Sequence, residues 1–210
     1  VGVFLKKSDA ILFVGASKAV RIIASFLKSK GKRVILIDSN KNYIKEASDD
    51  GLEAFKVDVY DDELANNIEL NDVGYLIALT GSDAVNKHAL NKFSENFGEQ
   101  GAYKLASSKE IIEASNKERE SFFTPNDDYI NLCEAYRENS TINKVNISNQ
   151  KEYDSFLEML SKEEKSIPLF VETKEGIYLL PEFEKNNTSK ENIKLYYLGK
   201  IITSTNEVVS

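Results

Sequence analysis

Cysteine is nearly missing: Cys133 stands alone among 210 residues, so no internal disulfide can form, and the composition fits a reducing compartment. Long apolar runs are missing as well. The longest, ILFV at 11–14 and YLIAL at 75–79, have four and five residues, far short of the ~20 that a membrane helix needs. No signal-peptide pattern opens the chain. Positive charge is outnumbered, with 27 Lys and Arg against 34 Asp and Glu for a net charge of −7. No basic cluster offers a track for a phosphate backbone, which argues against nucleic acid as a partner. Histidine occurs once, as His88, with no second His or Cys near it. A catalytic base needs a positioned partner, and His88 has none in sequence.

What is present is ordinary globular material, 41 % hydrophobic and 29 % charged, in a length that suits one full domain plus a smaller one. Over residues 11–105, short β-branched runs alternate with helix-period stretches. ILFV, VILI (34–37), AFKV (54–57), YLIAL and AYKL (102–105) read as strands, and 19–30, 42–48, 61–68 and 83–97 as the helices between them. That order predicts an α/β fold, a parallel sheet with helices on both faces, its strands apolar on both sides. The first helix sets Ala19, Ile22, Ile23, Phe26 and Leu27 on one stripe and turns Arg21, Lys28 and Lys30 to water. Ser107 and Glu110 have the spacing of a capping box.

After about residue 119 the pattern changes. A helix carries Tyr129, Cys133 and Tyr136 on one face; TINKVNIS (141–148) alternates as a half-buried strand; KEYDSFLEML (151–160) is helical. IPLFVE (167–172) and IYLLPE (177–182) read as a hairpin, and IKLYYLG (193–199) as a closing strand. The expected division is 1–119 for the parallel-sheet domain, 120–202 for a small α+β domain and 203–210 for a loose tail.

In an open parallel sheet, ligands sit beyond the carboxyl ends of the strands. GASKAV (15–20) follows the first strand directly. Gly15 supplies the sharp turn, with Ala16 and Ser17 continuing it. The helix that starts near Lys18 offers unpaired N–H groups and a positive dipole end, a seat for phosphate. Asp38 ends the second strand 23 positions after Gly15, where a carboxylate accepts hydrogen bonds from ribose hydroxyls, and Ser39 follows it. Asp58 with Val59 is placed to flank an adenine, and Thr80 brings a hydroxyl to ribose or phosphate. A full dinucleotide fingerprint has glycine where Ser17 and Val20 stand. Ser17 puts a side chain in the path of a pyrophosphate. Val20 sets a branched side chain where the helix comes closest to the sheet, forced packing worth ~1–3 kcal/mol unless its neighbours are small. The residues therefore suit a mononucleotide (AMP, ADP or ATP) more easily than NAD(H), and a crevice with no ligand stays open as an alternative.

Simpler readings cover the remaining residues. His88 flanks the apolar stripe of its helix; Cys133 packs on the apolar face of its own. Asp61, Asp62 and Glu63 are explained by the positive end of a helix dipole rather than by a metal. Phe122 with Phe123, and Tyr196 with Tyr197, are packing residues.

The stretch VGASKAV…GSDAVN (14–86) resembles the TrkA-N, or RCK, domain that regulates potassium channels, potassium uptake systems and cation/proton antiporters. GLEAFKVDVYD looks like that family's strand-Gly-Asp segment with Val57 in place of the glycine. ALTGSDAVNKHALNKFSENFG is similar to the version in cytoplasmic tails of NhaP-type sodium(potassium)/proton antiporters, and IPLFVETKEGIYLLP with LYYLG looks like the smaller domain that follows there. The resemblance implies a Rossmann-like sheet, a homodimer, and a non-catalytic regulator on the cytoplasmic side of the cell membrane. Such a regulator acts on a membrane-embedded cation transporter domain of the same or a companion chain, on binding an adenine nucleotide or NAD(H). Gly15, Ser17 and Val20 occupy the family's glycine positions, Asp38 its ribose position, Asp58 its adenine-side position and Thr80 its fourth-strand position. The opening VGVFLKKSDA, without methionine, fits a soluble tail. An NAD-dependent oxidoreductase and a ligand-free dimerisation domain are the competing readings; against the first stands the lack of an acid/base set.

Overall fold

The structure is a computed structural model that describes residues 8–61, 68–112, 127–163, 165–186 and 189–202. Most of the helix expected at 61–68, the expected boundary near 119 with Phe122 and Phe123, and the 203–210 tail lie outside the described residues.

Five short strands build the first sheet: β1 (Ala10–Val14), β2 (Val34–Asp38), β3 (Glu53–Lys56), β4 (Val73–Ala78) and β5 (Gly101–Lys104). All neighbours run parallel, in the order β3-β2-β1-β4-β5. Helices α1 (Lys18–Ser29), α2 (Lys41–Asp49), α3 (Asp83–Phe97) and α4 (Ser108–Ile112) connect or follow these strands. Side chains alternate across a strand, and the core divides accordingly. Ile11, Phe13, Val34, Leu36, Ile77 and Leu79 pack with Ala19, Val20, Ile23 and Leu27 of α1. Leu12, Val14, Ile35, Ile37, Leu76 and Ala78 pack with Ala89, Leu90 and Phe93 of α3. The sheet is thus covered on both faces, the Rossmann-like arrangement that the alternating pattern predicts.

The second unit contains α5 (Tyr129–Glu138), β6 (Ile142–Ile147), α6 (Gln150–Lys162), β7 (Ser166–Glu172), β8 (Ile177–Leu179), α7 (Leu180–Lys185) and β9 (Ile193–Gly199). Its four strands form an antiparallel sheet in the order β6-β9-β7-β8. The expected hairpin forms, but its second arm is short. Leu180 begins a helix with Pro181 in its first turn, because proline cannot donate to a strand ladder while its fixed φ suits a helix start. One face of this sheet lies on α6 through Tyr153, Phe156, Leu160, Val171, Leu195 and Tyr197. The other carries Ile167, Leu169, Phe170, Tyr196 and Leu198 into the same core cluster as α1. Parallel sheet and second unit therefore share one core.

That shared core changes the reading of α1. Phe26 stacks on Phe170 with ring centroids 5.3 Å apart and meets Tyr196 at 4.7 Å. Lys30 is half-buried rather than turned to water: its ammonium pairs with Glu172 at 2.8 Å, reaches the Tyr196 hydroxyl at 3.0 Å, and lies 4.9 Å from that ring's centre. The hydrogen bond to Glu172, with a second to Tyr196, raises the Lys30 pKa; the same Lys30 contact lowers that of Glu172. Arg21 is likewise only 8 % exposed, ion-paired with Glu46 and Asp50 of the α2 end. Only Lys28 of the three expected solvent-facing cations is exposed.

Phe26→Ala empties the centre of the contact between α1 and the second sheet. A loss of about 3 kcal/mol is expected, read as a lower denaturation midpoint. An unchanged midpoint contradicts the shared core.

Candidate functional site

The strand order reverses between β1 and β4, since the chain leaves β1 towards β2 and β4 towards β5. Loops diverge there and leave a crevice at the carboxyl ends. Gly15 opens it with φ +114°, a backbone conformation that only glycine adopts without strain, and an added Cβ would stand 2.8 Å from the Leu79 carbonyl oxygen. The next residue is pinned from the neighbouring strand: the Ala16 N–H donates to Asp38 Oδ2 at 2.9 Å. The Asn40 N–H donates to Asp38 Oδ1 at 2.8 Å. A carboxylate has about four acceptor positions, so Asp38 can still receive hydroxyl donors while it holds the loop. On the far side of the loop, buried Arg21 donates to the Ala16 carbonyl at 3.1 Å.

Helix α1 starts at this loop without a side-chain cap and with no acidic residue in its first turn. Its positive end is left for an anion. Lys18, exposed at the first helical position, adds a cation at the rim. The Ser17 hydroxyl oxygen is buried and finds no hydrogen-bond partner. Val20 is fully buried, as is Ala16, and Val59 is 6 % exposed. These three shape the loops from behind and present almost no surface. Ser39 is exposed at the mouth.

Thr80 reaches the crevice from β4, its Cγ2 3.3 Å from the position a Gly15 Cβ would take. Its hydroxyl donates to Asn86 Oδ1 at 2.7 Å and its N–H to the same oxygen at 3.0 Å, while the Asn86 amide returns a bond to the Thr80 carbonyl at 3.0 Å. Asn86, 2 % exposed, is a site-shaping residue that the apolar-stripe reading of α3 passes over. An amide on the buried side of that helix is the signal that could have found it. Asp58 stands apart. Strand β3 ends at Lys56, and the exposed Asp58 carboxylate turns back to accept from the Tyr60 N–H at 3.0 Å. Gly15, Ser17, Lys18, Asp38 and Thr80 thus gather at one crevice, with Asp58 one strand further out. His88 packs against the Tyr60 ring, centroids 4.4 Å apart.

The second unit supplies a neighbour that no strand-end motif announces. Tyr129, the first residue of α5, has ring carbons 3.1 and 3.2 Å from where a Cβ on Gly81 would stand. Burial pushes its phenol above the ordinary value, the Ser17 hydroxyl beside it acts downward, and Cys133 and Tyr43 add to the rise. Tyr129, Cys133 and Tyr136 are all half-buried, while the side of α5 that is fully buried carries Leu132 and Ala135. At the outer edge, the Ser107–Glu110 capping box forms at 2.9 and 3.2 Å. Burial would raise the Glu110 carboxyl, but Lys104 at 2.7 Å and the Ser107 N–H outweigh it and hold the pKa at about 2. Among the described residues, no group of three or more His, Cys, Asp or Glu is placed to hold a metal ion, and no helix is long and apolar enough to cross a membrane.

A parallel sheet whose order reverses between β1 and β4, with helices on both faces, defines a Rossmann-like domain. Residues 11–123 match the family model of the TrkA-N domain, and the chain belongs to that family, a class of typically non-catalytic regulatory domains. Three solved structures with related folds illustrate the range. The NAD(P)-binding domain of an exopolyphosphatase-related protein from Archaeoglobus fulgidus is 24 % identical, over 49 % of this chain and 77 % of that one, with a TM-score of 0.40. The TrkA-N domain of the inner membrane protein ybaL from Escherichia coli is 15 % identical, over 50 % and 78 %, with a TM-score of 0.37. The GsuK RCK domain is 12 % identical over 93 % of this chain, which spans 44 % of that structure's chain, with a TM-score of 0.44. At such identities and TM-scores these likenesses carry no ligand over to the present chain. Comparison with curated proteins finds no match.

Two measurements check the loop architecture. Asn86→Ala strips partners from the Thr80 backbone and hydroxyl and is expected to cost about 2–3 kcal/mol in denaturant unfolding. Glu110 is depressed in the folded state, so its stabilisation is complete above the unfolded carboxylate value of about 4.3 and is lost as pH falls through about 2. Glu110→Gln should be less stable than wild type by about 1–2 kcal/mol at neutral pH, the gap closing as pH drops from about 5 to about 2. A gap that is constant over this range removes the assigned role.

Proposed function

We propose that this chain is a non-catalytic sensor. It binds an adenine nucleotide or NAD(H) in the β1/β4 crevice and regulates a membrane-embedded cation transporter, a sodium(potassium)/proton antiporter or potassium uptake system, of the same or a companion chain. The observation that carries the reading is the pairing of Asp38 with the Ala16 N–H at 2.9 Å, beside a Gly15 turn and an uncapped α1. This pairing sets a carboxylate for sugar hydroxyls next to a helix end that favours phosphate. The residues fit such a group: the start of α1 has no side-chain cap, and the buried Ser17 hydroxyl beside it makes no hydrogen bond within the chain. Asp38 would take the ribose, the start of α1 with Ser17 and Lys18 the phosphate, and Thr80 and Asp58 would border the remainder. The second unit shares a core with α1, so an event at the head of that helix reaches the second sheet through packed side chains. The assembly proposed is a homodimer with 1–119 and 120–202 as its two units, on the cytoplasmic side of the membrane.

Calorimetric titration with AMP, ADP, ATP, NAD and NADH is expected to show binding of at least one, weakened about tenfold or more in Asp38→Asn, which halves the acceptor capacity facing the ribose. Flat traces for all five at millimolar concentration overturn the reading. Hydride transfer with turnover would move the chain to the oxidoreductases instead.

A further inference from the structure

The second unit sends one side chain to the mouth of the crevice. Tyr129 opens α5, and a capping box fixes where that helix begins: Asp128 Oδ1 accepts from the N–H groups of Ile130 and Asn131 at 2.9 and 3.0 Å, and Asn131 Oδ1 accepts from the Asp128 N–H at 3.1 Å. The tyrosine ring then lies against Gly81, just past Thr80, with ring carbons 3.1–3.2 Å from a virtual Cβ there. It also packs against the core cluster that contains Ala16, in the loop that leads into α1, and Leu79 at the end of β4. One ring therefore bridges the β1–α1 and β4–α3 loops, the two that flank the strand reversal. Gly81 is what lets it come so close. The Gly81 backbone has no left-handed φ, so torsion does not demand a glycine; the ring's proximity does.

The attachment of this ring differs from that of the helix bearing it. Leu132 and Ala135, both 0 % exposed, hold the following turns of α5 in the core shared with α1. In the first turn Tyr129 is half-buried and Ile130 is 60 % exposed. With the capping box holding the first turn, the half-buried ring leaves the crevice by a side-chain swing while the helix stays docked.

We propose that Tyr129 is a gate built from the second unit, whose ring occupies the space between Ser17 and Gly81 that a phosphate-bearing ligand needs, so that binding requires the ring to move out. This rests on the nucleotide reading above and states how the same site is regulated. A protein whose competent state is only partly populated binds with its affinity reduced by that fraction. The occupancy of the closed ring therefore sets the apparent affinity of the crevice, and ligand binding is tied to the rotamer of a side chain that the second unit supplies. The two glycine-to-larger changes at positions 17 and 20 do not close the crevice by themselves: Val20 is buried in the core, and Ser17 meets the ring rather than filling its place.

The test is titration of wild type, Tyr129→Ala, Tyr129→Phe and Gly81→Ala with ADP and with NAD, with thermal melts as the folding control. Tyr129→Ala removes the ring and is expected to bind at least about tenfold tighter, about 1.4 kcal/mol. Tyr129→Phe keeps the ring and should stay within about threefold of wild type. Gly81→Ala crowds the closed ring from the opposite side and should also tighten binding, which keeps the test alive should Tyr129→Ala fail to fold. Equal affinities across the set overturn the gate and leave the nucleotide reading standing. Weaker binding by Tyr129→Ala makes the ring a ligand contact and overturns the gate as well. No binding by wild type, Tyr129→Ala or Gly81→Ala overturns both.

Discussion

Helix α1 is buried on two sides at once, and the rest of the architecture follows from that constraint. Ala19, Val20, Ile23 and Leu27 join the core of the parallel sheet, while Phe26 and Lys30 meet Phe170, Glu172 and Tyr196 of the second sheet. A helix with one apolar stripe covers one layer; serving two layers needs aromatic surface or paired charge on the second side. Lys30 shows how that is met. Its stem and ammonium lie along Phe26 and Tyr196, and Glu172 satisfies the charge where water is partly excluded. The same helix heads the crevice at its other end, so the site and the contact with the second sheet are two ends of one rigid rod, 12 residues and about 18 Å long.

Precision in the crevice comes from polar pins rather than apolar packing. Asp38 ties the end of β2 to the loop after β1, and Asn86 ties the start of the β4–α3 loop to the second turn of α3. Each pin satisfies backbone groups that would otherwise be left unpaired at strand ends, where ladder bonds run out. A partly satisfied network would be costly, and a filled one fixes geometry. The Arg21 guanidinium adds a third tie by joining the Ala16 carbonyl to Glu46 and Asp50 of the α2 end. The turn at Gly15 is therefore held from β2, α1 and α2 together.

The parallel sheet was legible in the sequence because a fully covered strand shows as an unbroken apolar run such as VILI, and because Gly15 and Asp38 fall where a strand ends. Periodicity also placed α1, α2 and α3 within a residue or so. It misjudged Arg21 and Lys30, since helical spacing reports which side is polar and not what lies opposite. It extended β8 through Glu182 because apolar runs of this length suit strand and buried helix alike, and only the first-turn preference of Pro181 separates them. Asn86 and Tyr129 were invisible as site residues for a different reason. Asn86 pins Thr80 from six residues away but belongs to no named motif, and Tyr129 becomes relevant only when distant segments are brought together, nearly fifty positions beyond Gly81.

The two missing glycines have one physical account. The neighbour of Val20 one turn along α1 is Ala24, and Ala16 of the preceding loop lies in the same cluster, both fully buried, so the volume added at position 20 is matched by small side chains around it. The same cluster contains Leu79 of the crevice wall and Leu132 and Ala135 of α5. A glycine at position 20 would leave a hole facing a helix that is present here, and filling such a hole contributes about 1 kcal/mol or more per methyl pair. Tyr129 of that same helix packs against the cluster that holds Ala16, next to Ser17. Both departures thus fall where α5 docks, so they belong to the contact between the two units before they belong to the ligand. Ala16 and Gly15, which face β2 and β4 instead, keep the geometry that the crevice needs.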